Sequence, residues 1–263
     1  MNIAPVDQET GIPGSASPRL PVITLLTDFG TADYFVGAAK GVILSVNPNV
    51  NIVDITHEIP AQDIAAGAFM LLAAYQTFPR GTIHVAVVDP GVGSARRPII
   101  VCANNQFFVG PDNGIFTYVC DREPSHQAFH VTAEKHFRSD PSSTFHGRDI
   151  FAPVAAALSA GVKPGQVGRE INDEVRLPAL ETPLRIIHID RFGNCVTNIS
   201  RETFPGKSLS INGRTISALR KFYGEAPPEE IFAIWGSAGF LEISVNGGSA
   251  AQILGARRGD AII

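Results

Sequence analysis

Cysteine is scarce in this 263-residue sequence, and its basic residues never gather into a block. The three cysteines, Cys102, Cys120 and Cys195, are far apart and odd in number. None has a Cys or His neighbour at metal-ligand spacing, which argues against both a disulfide framework and a zinc site. They read as small apolar residues of a reducing compartment, and the expected location is cytoplasmic. With a formal net charge of -4 and no Lys/Arg cluster, neither a nucleic-acid partner nor an acidic membrane surface is expected. No apolar run approaches the length of a membrane span. Residues 1–20 hold Pro5, Pro13, Pro18, Gly11 and Gly14, with Arg19 as their only basic residue. They lack the basic start and apolar middle of a secretory signal and read as a disordered tail.

Apolar material is ample, with 44% hydrophobic and 17% charged residues, enough for one large domain or an ordinary domain with a small companion. Pro21 to Leu26 forms a near-continuous apolar run of the kind found in a buried parallel strand, and Thr27-Asp28-Phe29-Gly30 follows as a turn. Phe35, Val36, Ala39, Val42, Ile43 and Val46 recur at helical spacing up to Pro48. Ile52–Ile55 reads as a strand, Ile64 to Tyr75 as a helix with Asp63 near its positive end, and Ile83–Val88 as a third strand. This alternation predicts an α/β amino-terminal domain, residues 21–168, with a largely parallel central sheet and ligands at the carboxyl ends of its strands. Residues 99–101 and 107–109 flank Asn104-Asn105 as a hairpin, and 151–158 reads as an Ala-rich helix. A polar linker, 169–183, leads to residues 184–263, whose short β-like runs between Gly, Asn and Ser turns predict a smaller, barrel-like all-β carboxy-terminal domain.

Asp28 and Asp89 each follow a predicted strand and precede a glycine-containing turn. An ionised carboxylate in such a place can accept from both hydroxyls of a ribose, or it can stabilise its own turn. In Asp89-Pro90-Gly91-Val92-Gly93 the proline and glycines allow a tight turn that brings Arg96 back to the carboxylate. The pair could be structural or could belong to a site; the Lys-Ser/Thr ending of a phosphate loop is absent. His146, in Phe145-His146-Gly147-Arg148-Asp149, stands before a helix as a candidate for proton transfer. Near the carboxy terminus, Asp190-Arg191-Phe192-Gly193-Asn194 offers a ring for stacking a purine and an amide for its edge, or simply a turn between strands. Ser237, and Val245-Asn246-Gly247, could supply polar and backbone groups to a ligand.

In this order the motifs resemble the S-adenosylmethionine hydrolases, or hydroxide adenosyltransferases, which are related to fluorinases and chlorinases. The resemblance runs from about Val22 to Ile263. It implies a homotrimer with sites at subunit interfaces and a small-molecule substrate, S-adenosylmethionine, which is hydrolysed to adenosine and methionine without cofactor or metal. By the same resemblance, Asp28 holds the ribose, and Asp190 and Ser237, with Asp33, hold the methionine end. Phe192, Asn194 and Val245-Asn246-Gly247 frame adenine, and Asp89, Arg96 and His146 surround the attacking water. The related halogenases carry Tyr in place of Asp89 and Tyr-Ser in place of His146-Gly147. Gly147 cannot donate a side-chain hydrogen bond to halide, and Asp89 would repel an anion. Three alternatives remain beside hydrolysis by these residues: halide-dependent adenosyl transfer, a non-catalytic S-adenosylmethionine or adenosine binder, and a metal-dependent hydrolase using Asp28, Asp89 and His146. Arg96 beside Asp89 would compete with a metal.

Overall fold

The computed structural model describes residues 20–263 apart from Pro205 and Lys207; the expected tail therefore lies, up to residue 19, outside the described residues. In chain order the first elements are β1 (Val22–Thr27), α1 (Phe35–Val46), β2 (Asn51–Thr56), α2 (Ile64–Ala74), β3 (Ile83–Val87), β4 (Pro98–Ala103) and β5 (Gln106–Pro111). There follow α3 (Thr117–Arg122), β6 (Gln127–Val131), α4 (Ala152–Ser159), α5 (Pro164–Val167) and β7 (Gly168–Ile171).

The seven strands form one sheet in the order β2-β1-β3-β5-β4-β6-β7. The expected parallel sheet is corrected to a mixed one. Pairings β2–β1, β1–β3 and β3–β5 are parallel, whereas β5–β4, β4–β6 and β6–β7 are antiparallel. The cause is local: Asn104 and Asn105 adopt positive φ (50° and 56°), the two-residue turn that twists adjacent strands into a hairpin. From there each new strand is added antiparallel at the far edge. The expected linker, 169–183, is not all connection, since its first residues, to Ile171, belong to the edge strand β7.

Helices α1 and α4 cover one face of the sheet, against Ile23, Leu25, Ile83, Val85, Val87, Ile100 and Val109. Helices α2 and α3 cover the other, against Leu26, Ala86, Val88, Val101 and Phe108. The alternation Val85/Ala86/Val87/Val88 is therefore the pleat feeding two cores, and burying each Val or Leu is worth about 1.5–3 kcal/mol.

The second part contains β8 (Ile186–Ile189), β9 (Cys195–Thr197), the hairpin β10 (Leu209–Ile211) and β11 (Arg214–Ile216), β12 (Leu219–Arg220), β13 (Ile231–Trp235), β14 (Leu241–Val245) and the short α6 (Ala250–Leu254). The expected barrel resolves into a five-stranded sheet, β12-β13-β14-β9-β8, and the separate β10-β11 pair around their own core. Ile187, Val196 and Phe240 join Phe69 and Leu72 in the α2-side core, and Arg258 pairs with Asp63, the residue that caps α2. Among the described residues no helix is long and apolar enough to cross a membrane.

Candidate active site

Strands β1 and β3 are parallel neighbours, in register Thr27↔Val87. Their carboxyl ends therefore deliver Asp28 and Asp89 side by side, while α1 and α2 diverge to opposite faces, the arrangement that opens a crevice in α/β sheets. The crevice measures about 260 Å³ and is lined by Asp28, Phe29, Gln62, Asp89, Phe145, His146 and Gly147 with their neighbours.

The turn after β3 folds Arg96 back. Val92 N–H donates to the Asp89 carbonyl (3.2 Å), and Ser94 N–H and Oγ donate to the Gly91 carbonyl (3.1 and 2.7 Å). Gly93 has φ 78° and lies so close to the Ser143 carbonyl that a Cβ would approach it to 2.3 Å; this position cannot carry a side chain. Arg96 Nε donates to both Asp89 oxygens at 3.0 Å, and Nη2 also meets Oδ2. The side chains are only 9% and 5% exposed, which makes this a nearly dry, forked ion pair. The guanidinium lies 5.2 Å from the Phe151 ring centroid.

His146 enters from the third loop, just before a wide helical turn, Gly147–Phe151, that leads into α4. Arg96 Nη2 lies 2.7 Å from His146 Nδ1. Arginine only donates, so Nδ1 is the acceptor and the neutral imidazole carries its proton on Nε2. Burial, and next the positive charge of Arg96, hold the His146 pKa below its ordinary 6.5. Arg97, by contrast, turns away to Asp112 and Asp173 (Nε–Oδ2 2.7 Å, Nη1–Oδ1 2.8 Å). Asp28 Oδ2 accepts from Gln62 N–H at 2.8 Å. Gln62 holds φ 66°, a backbone state that its residue type gives no reason to expect. Asp33 is exposed in the turn before α1.

The carboxy-terminal candidates form a second cleft, of about 530 Å³, lined by Phe192, Asn194, Tyr223, Val245, Gly247 and Gly248. Phe192 is 77% exposed. Asp190 Oδ1 accepts from Phe192 N–H and Asn194 N–H (both 2.9 Å), and Oδ2 accepts from Asn194 Nδ2 (2.8 Å). A carboxylate accepts only, so the Asn194 amide is oriented with Oδ1 as its free acceptor. Asn246 is occupied with the Ala226 carbonyl (2.7 Å), and Ser237 lies exposed on the turn after β13. Glu242 and Tyr223, which pattern reading missed, lie in the same region, their oxygens 3.5 Å apart. Burial, and then negative Asp190, raise the Glu242 carboxyl above its ordinary range.

The two clefts share no lining residue. Among the described residues the group with metal-ligand chemistry is Cys120, His126 and Glu174, whose ligand atoms lie within 4.8 Å of one another. None of the three lines the Asp89 crevice, and Arg176 already donates to Glu174 there (3.1 Å).

Family comparisons agree with the motif order. The SAM hydroxide adenosyltransferase N-terminal domain matches residues 23–168, and the C-terminal domain of the same family matches residues 184–263. A Methanocaldococcus jannaschii protein named (R)-S-adenosyl-L-methionine hydrolase is 40% identical over 251 residues, 89% of this chain and 92% of its own length. A Thermus thermophilus protein of the same name is 37% identical over 90% of this chain and 96% of its own. A fluorinase from Actinoplanes is 29% identical over 69% of this chain and 72% of its own. Among solved structures, an uncharacterized conserved protein from Thermotoga maritima superposes with a TM-score of 0.86 at 35% identity, covering 91% of this chain and 98% of its own.

Proposed function

Since the chain belongs to the SAM hydroxide adenosyltransferase family, we propose that it is an S-adenosyl-L-methionine hydrolase that forms adenosine and L-methionine by in-line attack of water on ribose C5′. The observation that carries this reading is the Asp89–Arg96–His146 constellation at the crevice. Its chemistry suits water. The leaving sulfonium departs as a neutral thioether and needs no acid, so the protein has to place one water, exclude others and accept one proton.

As the C5′–O bond forms, the C5′–S bond breaks with its electron pair going to sulfur, and the water loses a proton. His146 already bears hydrogen on Nε2 and spends Nδ1 on Arg96, so it serves as a donor that fixes the water oxygen. Asp89, turned by Arg96, is the remaining acceptor, and one proton leaves per turnover. Asp28 is assigned to the ribose hydroxyls, and Asp190, Ser237 and Asp33 to the methionine end. Phe192, Asn194, Val245, Asn246 and Gly247 are assigned to adenine, with the free Asn194 Oδ1 suited to its amino group. No metal or other cofactor enters this scheme, because Arg96 supplies the positive charge beside Asp89; turnover should survive a chelator.

The reading includes a homotrimer that completes each site between subunits. Its support is the separation of the two clefts and the small size of the first, which falls below the roughly 300–1,000 Å³ of ordinary ligand pockets. The unpaired thiols suit a reducing, cytoplasmic compartment.

Incubation with S-adenosylmethionine, with and without chloride, should give adenosine and methionine in both cases; a 5′-chloro nucleoside would overturn the hydrolase reading. Gly147→Ser should not convert the enzyme. A Cβ there would sit 3.0 Å from the Phe29 ring and 3.3 Å from Phe145, so the expected outcome is slower hydrolysis with no chlorinated product.

A pH profile tests the role of His146. Its pKa is lowered and its neutral form is required, so kcat should be full above the ordinary 6.5 and persist below it, falling only as pH passes through the lowered value. An acid limb at or above pH 6.5 would contradict this assignment.

A further inference from the structure

We propose that His57 is a positioning residue for the substrate ribose, fixing Asp28 through a chain of contacts that begins at Lys40. The inference rests on the assignment of Asp28 to the ribose hydroxyls. Lys40 Nζ donates to Asp54 Oδ2 at 2.6 Å, and Asp54 Oδ1 lies 3.1 Å from His57 Nε2. His57 Nδ1 lies 2.8 Å from Thr27 Oγ1, which in turn accepts from Phe29 N–H at 3.2 Å. Thr27 and Phe29 are the two residues that flank Asp28.

The approach of Nε2 to Asp54 lacks hydrogen-bond geometry and is a polar contact, whereas Nδ1 and the Thr27 hydroxyl share a hydrogen bond whose donor follows from the tautomer of the imidazole. The backbone closes the same clasp, with Gly30 N–H donating to the His57 carbonyl at 2.8 Å and Ile59 N–H to that of Thr27 at 3.4 Å. Residue 57 thus holds the turn on both sides of Asp28, while Gln62 N–H occupies one of the two carboxylate oxygens.

His57 and Thr27 are each only 4% exposed. An apolar pair would fill this space without desolvating an imidazole and a hydroxyl, a cost polar groups incur even when partly satisfied. What the polar chain adds is a defined position for the turn. Neither residue lines the crevice, so the effect on substrate passes through Asp28.

The test is a coupling experiment with S-adenosylmethionine and its 2′-deoxy analogue. His57→Leu should raise KM for the natural substrate about tenfold with kcat little changed, the size expected for weakening a charge-assisted hydrogen bond. With the 2′-deoxy analogue that penalty should largely vanish, since the hydroxyl that Asp28 must meet is gone. His57→Asn, whose side-chain amide can accept from or donate to the Thr27 hydroxyl where Nδ1 stood, should recover most of the loss. Asp54→Asn, at the exposed end of the chain, gives a smaller effect in a protein certain to keep its core, and thermal melting of each variant separates folding from binding. Equal penalties on both substrates for His57→Leu, with Asp28→Asn still sensitive to the 2′-hydroxyl, would overturn the role of His57 alone. Insensitivity of Asp28→Asn as well would overturn the ribose assignment and this inference with it.

Discussion

Asp89→Asn is expected to lower turnover of S-adenosylmethionine by about 10³-fold, in the range that removal of a general base commonly costs. The substitution keeps the shape of the side chain and removes the group that accepts the water's proton. It also leaves Arg96 without its ionised partner at a side-chain exposure of 9%. Removing one member of a buried pair costs about 3–5 kcal/mol, so the melting temperature should fall too. The decisive comparison is made below the melting transition, where substrate affinity measured by calorimetry should stay within a few-fold of the wild-type value while kcat collapses. Arg96→Lys should behave similarly but less severely, because lysine keeps the charge and loses the fork that holds both Asp89 oxygens and reaches His146. A variant lacking Asp89 that still turned over within tenfold of wild type would remove this residue from the chemistry.

The second large effect concerns where a complete site is found. Asp89→Asn disables the crevice at the ends of β1 and β3, and the double variant Phe192→Ala/Asn194→Ala disables the cleft around Phe192. Each alone should be nearly inactive. Co-expressed under two tags and purified by both, the mixed trimers should regain about one third of wild-type activity, because a heterologous ring made of two variant types always contains one interface with both halves intact. Activity no greater than that of the two variants separately would place the whole site within one chain. Sedimentation of the wild-type protein, expected as a trimer, provides the accompanying check.

Much of the amino-terminal architecture was legible because its signals are local. The apolar runs before Asp28 and Asp89 and the helical spacing from Phe35 to Val46 correspond to β1, β3 and α1. The Asn104-Asn105 turn corresponds to the β4–β5 hairpin. The sense of the outer strands was not legible, since β6 and β7 are short and half-exposed and their direction follows from the hairpin rather than from their own residues. The pairing of Asp89 with Arg96 could be read from the glycine-rich turn between them. The tautomer of His146 could not, because it depends on a contact between side chains 50 positions apart. Gln62 and Glu242 escaped for the same reason: one contributes a backbone N–H in an unusual conformation, the other a carboxyl whose surroundings come from Asp190 and Tyr223 on different segments. His57, in Asp54-Ile55-Thr56-His57, gave no sign of facing Thr27 until β1 and β2 were paired.

Single-turnover hydrolysis in oxygen-18 water, with mass analysis of both products, separates direct attack at C5′ from every other route to adenosine. Attack by water held at Asp89 and His146 places one heavy oxygen in the adenosine 5′-hydroxyl and none in methionine. Adenosine released without the label would contradict it.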